Sequence, residues 1–345
     1  MLRPEPLTPD HFDACISLLK VYPFKPYAHY ARRVGEKALE QLFLSQVEAN
    51  LGRKAHSALW IPGPDGAQGL AIWARLDWDS QQLGVGAGRL DYLIASGDYE
   101  EQYATKEALL AAVLQACGQQ GIQHLSARVH ASDLSTIHLL ERHGFITVDG
   151  ILTFSFDLSP QRREDTRKEI EDPSCPGAFV VPEKDFEIRL SRPEDIEQIK
   201  AIARSSYVYD RFHSDPRIPK AVADELHAVW LENSCRGKAA DAVVVAAEKG
   251  RILGFVTCKI DRQTTRYLGL TIGTIVLVAT AADARGRGVA RATTYGALDW
   301  FRDQGVDIVE VGTQLRNIPA SRLYEACGFR LVASSLSLRK WIDHA

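Results

Sequence analysis

The sequence predicts a mixed α/β protein made of two tandem copies of one unit, each a mostly antiparallel sheet flanked by helices. Three observations carry this. Landmarks recur at an offset of 184 residues: Gly121 falls on Gly305, and Gly144-Phe145 on Gly328-Phe329, each where a helix stops before a strand. Glycine at such a stop accepts left-handed φ/ψ cheaply. A charged, proline-punctuated stretch at 159–185, with Arg162-Arg163-Glu164-Asp165 and then Pro173, Pro176 and Pro182, reads as a linker. Hairpin signals and helical periodicity alternate through the second half, interrupted by one strand, glycine loop and helix. The expected division is therefore 1–158, a linker at 159–185, and 186–345. At 345 residues the chain accommodates two domains of about 150 residues each.

Each element follows in order. Thr8-Pro9-Asp10 lies over Arg192-Pro193-Glu194, and each opens an amphipathic helix. In the second copy a short strand is expected at 185–190. A helix follows at 194–207, with Ile196, Ile199 and Ala203 on one face. A second helix at 219–233 carries Ala223, Leu226, Trp230 and Leu231. Strands at 242–248 and 252–260 are turned by Lys249-Gly250. A longer loop at 261–267 leads to a strand at 271–279, then a loop and helix through 304. A strand at 307–312, a helix at 319–327 and closing strands through 341 complete the unit.

Composition narrows the function. Hydrophobic residues make up 46% and charged residues 25%, ordinary for a globular protein. A net charge of -3 offers no general attraction to nucleic acid or acidic lipid. No apolar run is long enough to span a bilayer, and the N-terminus lacks an apolar signal core, so a cytoplasmic location is expected. Six scattered cysteines without a C-x-x-C pair argue against a zinc site and a disulfide framework. No nucleic acid, membrane or metal partner is expected, and a homodimer is compatible with this.

The chemistry concentrates in 275–329. The apolar run Ile275-Val276-Leu277-Val278 precedes Arg285-Gly286-Arg287-Gly288-Val289-Ala290, which opens a helix. A glycine-rich turn of this kind leaves backbone N–H groups at the positive end of a helix dipole, which suits a pyrophosphate. Arginines at a helix start are electrostatically unfavourable unless an anion compensates, which favours a binding role for Arg285 and Arg287. Tyr324, one helix later, is matched by its ordinary pKa near 10 to protonating a thiolate, although its spacing alone also fits a packing role. The general base stays open between Glu310, His213 in the polar segment 209–216, and ordered water. Trp78 and Asp79 read equally as an edge-strand anchor.

These motifs resemble the GNAT acyltransferase superfamily. Arg285-x-x-Gly288-x-Ala290 fits its Q/R-x-x-G-x-G/A loop, and Asn317, Ala320, Leu323-Tyr324 and Gly328-Phe329 fit its second signature. Segments 76–85, Arg211-Phe212, 230–233 with Arg236-Gly237, and Gly312-Thr313-Gln314 are similar to amino-sugar acetyltransferases of that superfamily. The resemblance covers 186–342. It implies acetyl-CoA as cosubstrate, with pyrophosphate on the N–H groups of 285–290 and pantetheine against the strand Ile275–Val278. It further implies that Asn317 holds pantetheine and that Tyr324 donates to the leaving sulfur. Backbone N–H groups near Leu277–Val278 are the expected oxyanion donors. The implied acceptor is a primary amine of a small molecule, foremost a nucleotide-linked amino-deoxy sugar; a peptide, protein or antibiotic amine is the alternative acceptor, and a non-catalytic acyl-CoA-binding protein the alternative class. In the first copy the offset puts Leu140 under Tyr324, Asp133 under Asn317 and the glycine-free 101–106 under 285–290. That copy is expected to be catalytically silent.

Overall fold

The computed structural model describes residues 2–159 and 186–342; nearly all of the expected linker, from 160 to 185, lies outside the described residues. The chain divides into two compact units, Met1–Gly150 with Ser334–Ala345, and Ile151–Ala333.

The first unit runs β1 (Glu5–Pro6), α1 (Phe12–Val21), α2 (Ala31–Val34), α3 (Glu36–Leu51), β2 (His56–Gly63), β3 (Gly66–Arg75), α4 (Asp77–Leu83), β4 (Ala87–Ala95), α5 (Tyr99–Gln119), β5 (His124–His130) and α6 (Leu134–Arg142). Trp78 and Asp79 thus lie on a short helix rather than an edge strand. Strict alternation along β3 supplies both cores of this unit. Leu70 and Ile72 pack with Cys15 and Leu19 of α1 and Phe43 of α3, while Ala71 and Trp73 pack with Leu109 and Val113 of α5.

The second unit receives β6 (Ile146–Asp157) from Ile151 onward. It continues with β7 (Glu187–Leu190), α7 (Ile196–Ser206), α8 (Lys220–Cys235), β8 (Ala242–Glu248), β9 (Arg251–Asp261), α9 (Arg262–Leu268), β10 (Ile272–Thr280), α10 (Val289–Asp303), β11 (Ile308–Gln314) and α11 (Ile318–Ala326), and ends within β12 (Arg330–Trp341), which belongs to the first unit from Ser334 onward. Val243 and Val245 face α7 and α8, whereas Val244 faces α10. The β8–β9 turn places both Lys249 (φ 49) and Gly250 (φ 81) in the left-handed region, as a two-residue hairpin requires. The segment expected as a loop at 261–267 is instead α9. Asp261 caps it by accepting from the Gln263 N–H, and Gly269 ends it at φ 64.

The closing strands depart from the expected boundaries. β12 pairs antiparallel with β5, from Ser335↔His130 to Trp341↔His124. β6 pairs with β11, from Ile151↔Gln314 to Asp157↔Ile308. β5 of the first unit and β11 of the second are thus each paired with a strand from the other half of the sequence. The compact units therefore divide at Gly150/Ile151 and Ala333/Ser334, not at the cut expected at 158 and 186.

Candidate active site

Strands β10 and β11 are paired in parallel only from Ile272↔Ile308 to Ile275↔Val311. Beyond that point β10 continues on β9 to Thr280↔Gly254, and β11 continues on β6 to Gln314↔Ile151. The two strands lose each other as neighbours, and a slot opens along residues 276–280. A bulge in β10 between Ile275 and Val278 accompanies the divergence. Regular alternation would put 275, 277 and 279 on one face. The extra residue reverses the faces: Ile275 joins the core under α10 and α11, while Leu277 and Ala279 join the core under α7 and α8. The Leu277 N–H, displaced from the ladder, donates to buried Thr257 Oγ1 at 2.9 Å. That removes Leu277 from the expected oxyanion donors and leaves Val278 of the pair.

The turn before α10 is built by Gly286 (φ 77) and Gly288 (φ 75), with open space where a Cβ would stand at either. Glycine is required here by backbone conformation, not by crowding. Gly288 is the N-cap of α10, and no side chain caps the helix. A helix start without such a cap leaves N–H groups directed outward, where a bound anion would satisfy them. Val289 is buried and Ala290 half-buried behind the turn, while Arg285 and Arg287 are exposed. The expectation that both arginines serve an anion divides here. Arg287 pairs with Glu248 at 2.5 Å, and the guanidinium holds that carboxyl below its usual range.

Asn317 caps α11 by accepting from the Ala320 N–H at 3.3 Å through Oδ1, so its side-chain amide retains donor capacity. Two turns on, Tyr324 is 4% exposed and packs on Phe154 and Phe329, with ring centroids 6.0 and 5.8 Å away. Burial drives its phenol well above the usual value, so it stays protonated. The same surroundings push the Cys327 thiol to about 11.

Sequence reasoning missed Tyr207, Thr257 and His227. The Tyr207 hydroxyl is buried with no hydrogen-bond partner among the described residues, and Tyr324 and Asp210 both act on it electrostatically. Of the candidate bases, His213 has Nδ1 2.5 Å from Asp210 Oδ2 and Nε2 2.9 Å from Asp224 Oδ1, so neither nitrogen is open to a substrate. Glu310 lies on β11 opposite Thr274 of β10 and Ser155 of β6. Arg316, beside Asn317, donates to the Tyr209 carbonyl and Ser214 Oγ, which ties segment 209–216 to the start of α11.

The first unit lacks this arrangement for a visible reason. Residues 101–106, under the glycine turn by the 184-residue offset, are already helix, because α5 begins earlier than α10. The start of α5 is closed by its own carboxylates: Asp98 accepts from the Glu101 N–H and Glu101 from the Asp98 N–H. Asp133, the counterpart of Asn317, is bound by buried Lys106 at 3.2 Å, and Lys106 also donates to Ser135 and Thr136. An internal ammonium occupies that position.

A parallel pair that parts at a bulge, a glycine-opened helix without a side-chain cap and a buried phenol on the next helix all belong to the second unit. Residues 199–329 match the acetyltransferase (GNAT) family. The chain is similar to the spore coat polysaccharide biosynthesis protein SpsD of Bacillus subtilis, 29% identical over 156 residues, 45% of this chain and 51% of that protein. The match thus spans about half of that relative. It is also similar to dTDP-fucosamine acetyltransferase of Escherichia coli, 25% identical over 59% of this chain and 75% of that one. A tandem GNAT protein from the clavulanic acid biosynthesis pathway shares the fold over 100% of both chains, with a TM-score of 0.58 and 13% identity.

Proposed function

We propose that the second unit transfers an acetyl group from acetyl-CoA to a primary amine of a small molecule, and that the acceptor is a nucleotide-linked amino-deoxy sugar. The observation that carries the transfer is the slot along 276–280. An edge of β10 without a strand partner runs toward the Gly286–Gly288 turn, which matches an extended pantetheine arm ending in a pyrophosphate. The kinship with dTDP-fucosamine acetyltransferase and a polysaccharide biosynthesis protein supports the acceptor class.

In this reading residues 285–290 hold the pyrophosphate, and 275–278 with Asn317 hold the pantetheine. The amine nitrogen attacks the thioester carbonyl, the C–N bond forms and the C–S bond breaks. Tyr324 supplies the proton that the departing sulfur takes up, and the proton shed by the amine returns to its phenolate through water. Catalysis is mainly approach geometry and stabilisation of developing charge. The first unit, whose corresponding positions are filled by its own helix and by Lys106, contributes no acetyl transfer.

The test is acetyl-CoA consumption against a panel of amines that includes nucleotide amino sugars, basic peptides and aminoglycosides. Turnover should be highest with a nucleotide amino sugar and fall by about 100-fold or more in Tyr324→Phe, with acetyl-CoA affinity nearly unchanged. Gly288→Leu should instead lose coenzyme binding. Unchanged turnover in Tyr324→Phe would defeat the donor role, and peptide-selective turnover would defeat the acceptor class.

A further inference from the structure

We infer a binding site for a divalent transition-metal ion, zinc by its ligand chemistry, formed by Asp210, His213 and His227 in the second unit. This assignment stands independently of the acetyl-transfer reading. Asp210 Oδ2 lies 2.5 Å from His213 Nδ1 and 3.9 Å from His227 Nε2, and the three ligand atoms all fall within 4.8 Å of one another. Ligand atoms about 2.0–2.1 Å from a tetrahedral ion stand roughly 3.3 Å apart, so on binding Asp210 and His213 would separate and His227 would close in.

The groups behind these atoms are those a metal site requires. A ligating histidine donates its other ring N–H to a carboxylate or a carbonyl, which fixes the tautomer and aims the lone pair. His213 has Nε2 2.9 Å from Asp224 Oδ1, and His227 has Nδ1 2.8 Å from the Ala223 carbonyl. Asp210 is oriented by its second oxygen, which accepts from the Phe212 N–H at 2.9 Å and the His213 N–H at 3.3 Å. His227 is 2% exposed, and its Nε2 has no hydrogen-bond partner among the described residues. Tyr207 stacks on the ring at 4.3 Å, and Phe212 and Trp230 stand at 6.3 Å, an apolar wall around the ligand atoms.

His227 lies on α8, and the other two ligands lie in the segment that Arg316 ties to the start of α11. A bound ion would therefore clamp that segment beside Asn317. The competing occupant is a proton shared between Asp210 and His213.

The deciding experiment treats the full chain with EDTA, removes the chelator, and titrates Zn²⁺ alone in competition with a chromophoric chelator. Co²⁺ is titrated in parallel, read by visible absorption, and Mg²⁺ serves as control. We expect one equivalent of Zn²⁺ bound, a rise in Tm with Zn²⁺ but not Mg²⁺, and a Co²⁺ band of tetrahedral or five-coordinate intensity. Affinity should fall about 100-fold or more in both Asp210→Asn and His227→Gln, and not in His138→Gln. Failure of the wild-type chain to take up an equivalent, or uptake unchanged in His227→Gln, would overturn the assignment. Should a variant not fold by circular dichroism, the wild-type stoichiometry and Co²⁺ spectrum still decide.

Discussion

His227 shows how much one buried side chain can couple stability to pH. Its ring is enclosed by Tyr207, Phe212, His213 and Trp230, and Asp210 and Asp224 face it as well. Burial is the largest influence and lowers its pKa below the ordinary 6.5, with the carboxylates opposing. In the unfolded chain the ring takes a proton near pH 6.5, while in the folded chain it does so only at lower pH. Between those points the unfolded state binds more protons, so stability falls as pH drops through that window. One proton contributes at most about 1.4 kcal/mol per pH unit. His56 and His130 are also lowered by burial and add in the same direction. Comparing Tm against pH for the wild type and His227→Gln, both in EDTA, should show a shallower acid decline in the variant. Parallel curves would mean that His227 is not part of the acid response.

At the scale of elements, what was legible in the sequence was local chemistry. Gly121, Gly144, Gly305 and Gly328 all stop helices with φ between 67 and 89, and their backbone conformation needs no distant partner. The Asp261 cap and Gly269 stop of α9 were equally local, yet the intervening Arg262–Leu268 lacks apolar periodicity and reads as a loop. The bulge in β10 had no signal, because Ile275-Val276-Leu277-Val278 is apolar at every position and face is undetermined until a neighbour strand fixes it. The site residues in motifs were therefore visible and Thr257 was not. Thr257→Val should leave the Leu277 N–H buried without an acceptor, a loss of about 1–3 kcal/mol by chemical denaturation. Thr257→Ser, which restores an oxygen, should recover most of it. Equal stability in the two variants would show that the bulge does not depend on this bond.

For the whole molecule, the 184-residue repeat was readable but its closure was not. Each copy ends in a strand of similar character, β6 and β12, and nothing in either strand says which sheet it joins. Pairing choice is set by long-range register, which leaves no local mark. The exchange has a consequence that a simple tandem arrangement would not. Removing 335–345 from the end of the second copy would strip a strand from the first unit. β5 would then lose its antiparallel partner from His124 to His130, and Leu338 would leave the core around Leu109, Leu125 and Leu139. An unpaired central edge and a vacated core position, together worth several kcal/mol, should destabilise the first unit. Hydrogen exchange should show protection lost in 124–130 and 87–95, while 308–314, closed by β6, keeps its own. Protection lost in 308–314 instead would assign the last strand to its own copy and refute the exchange.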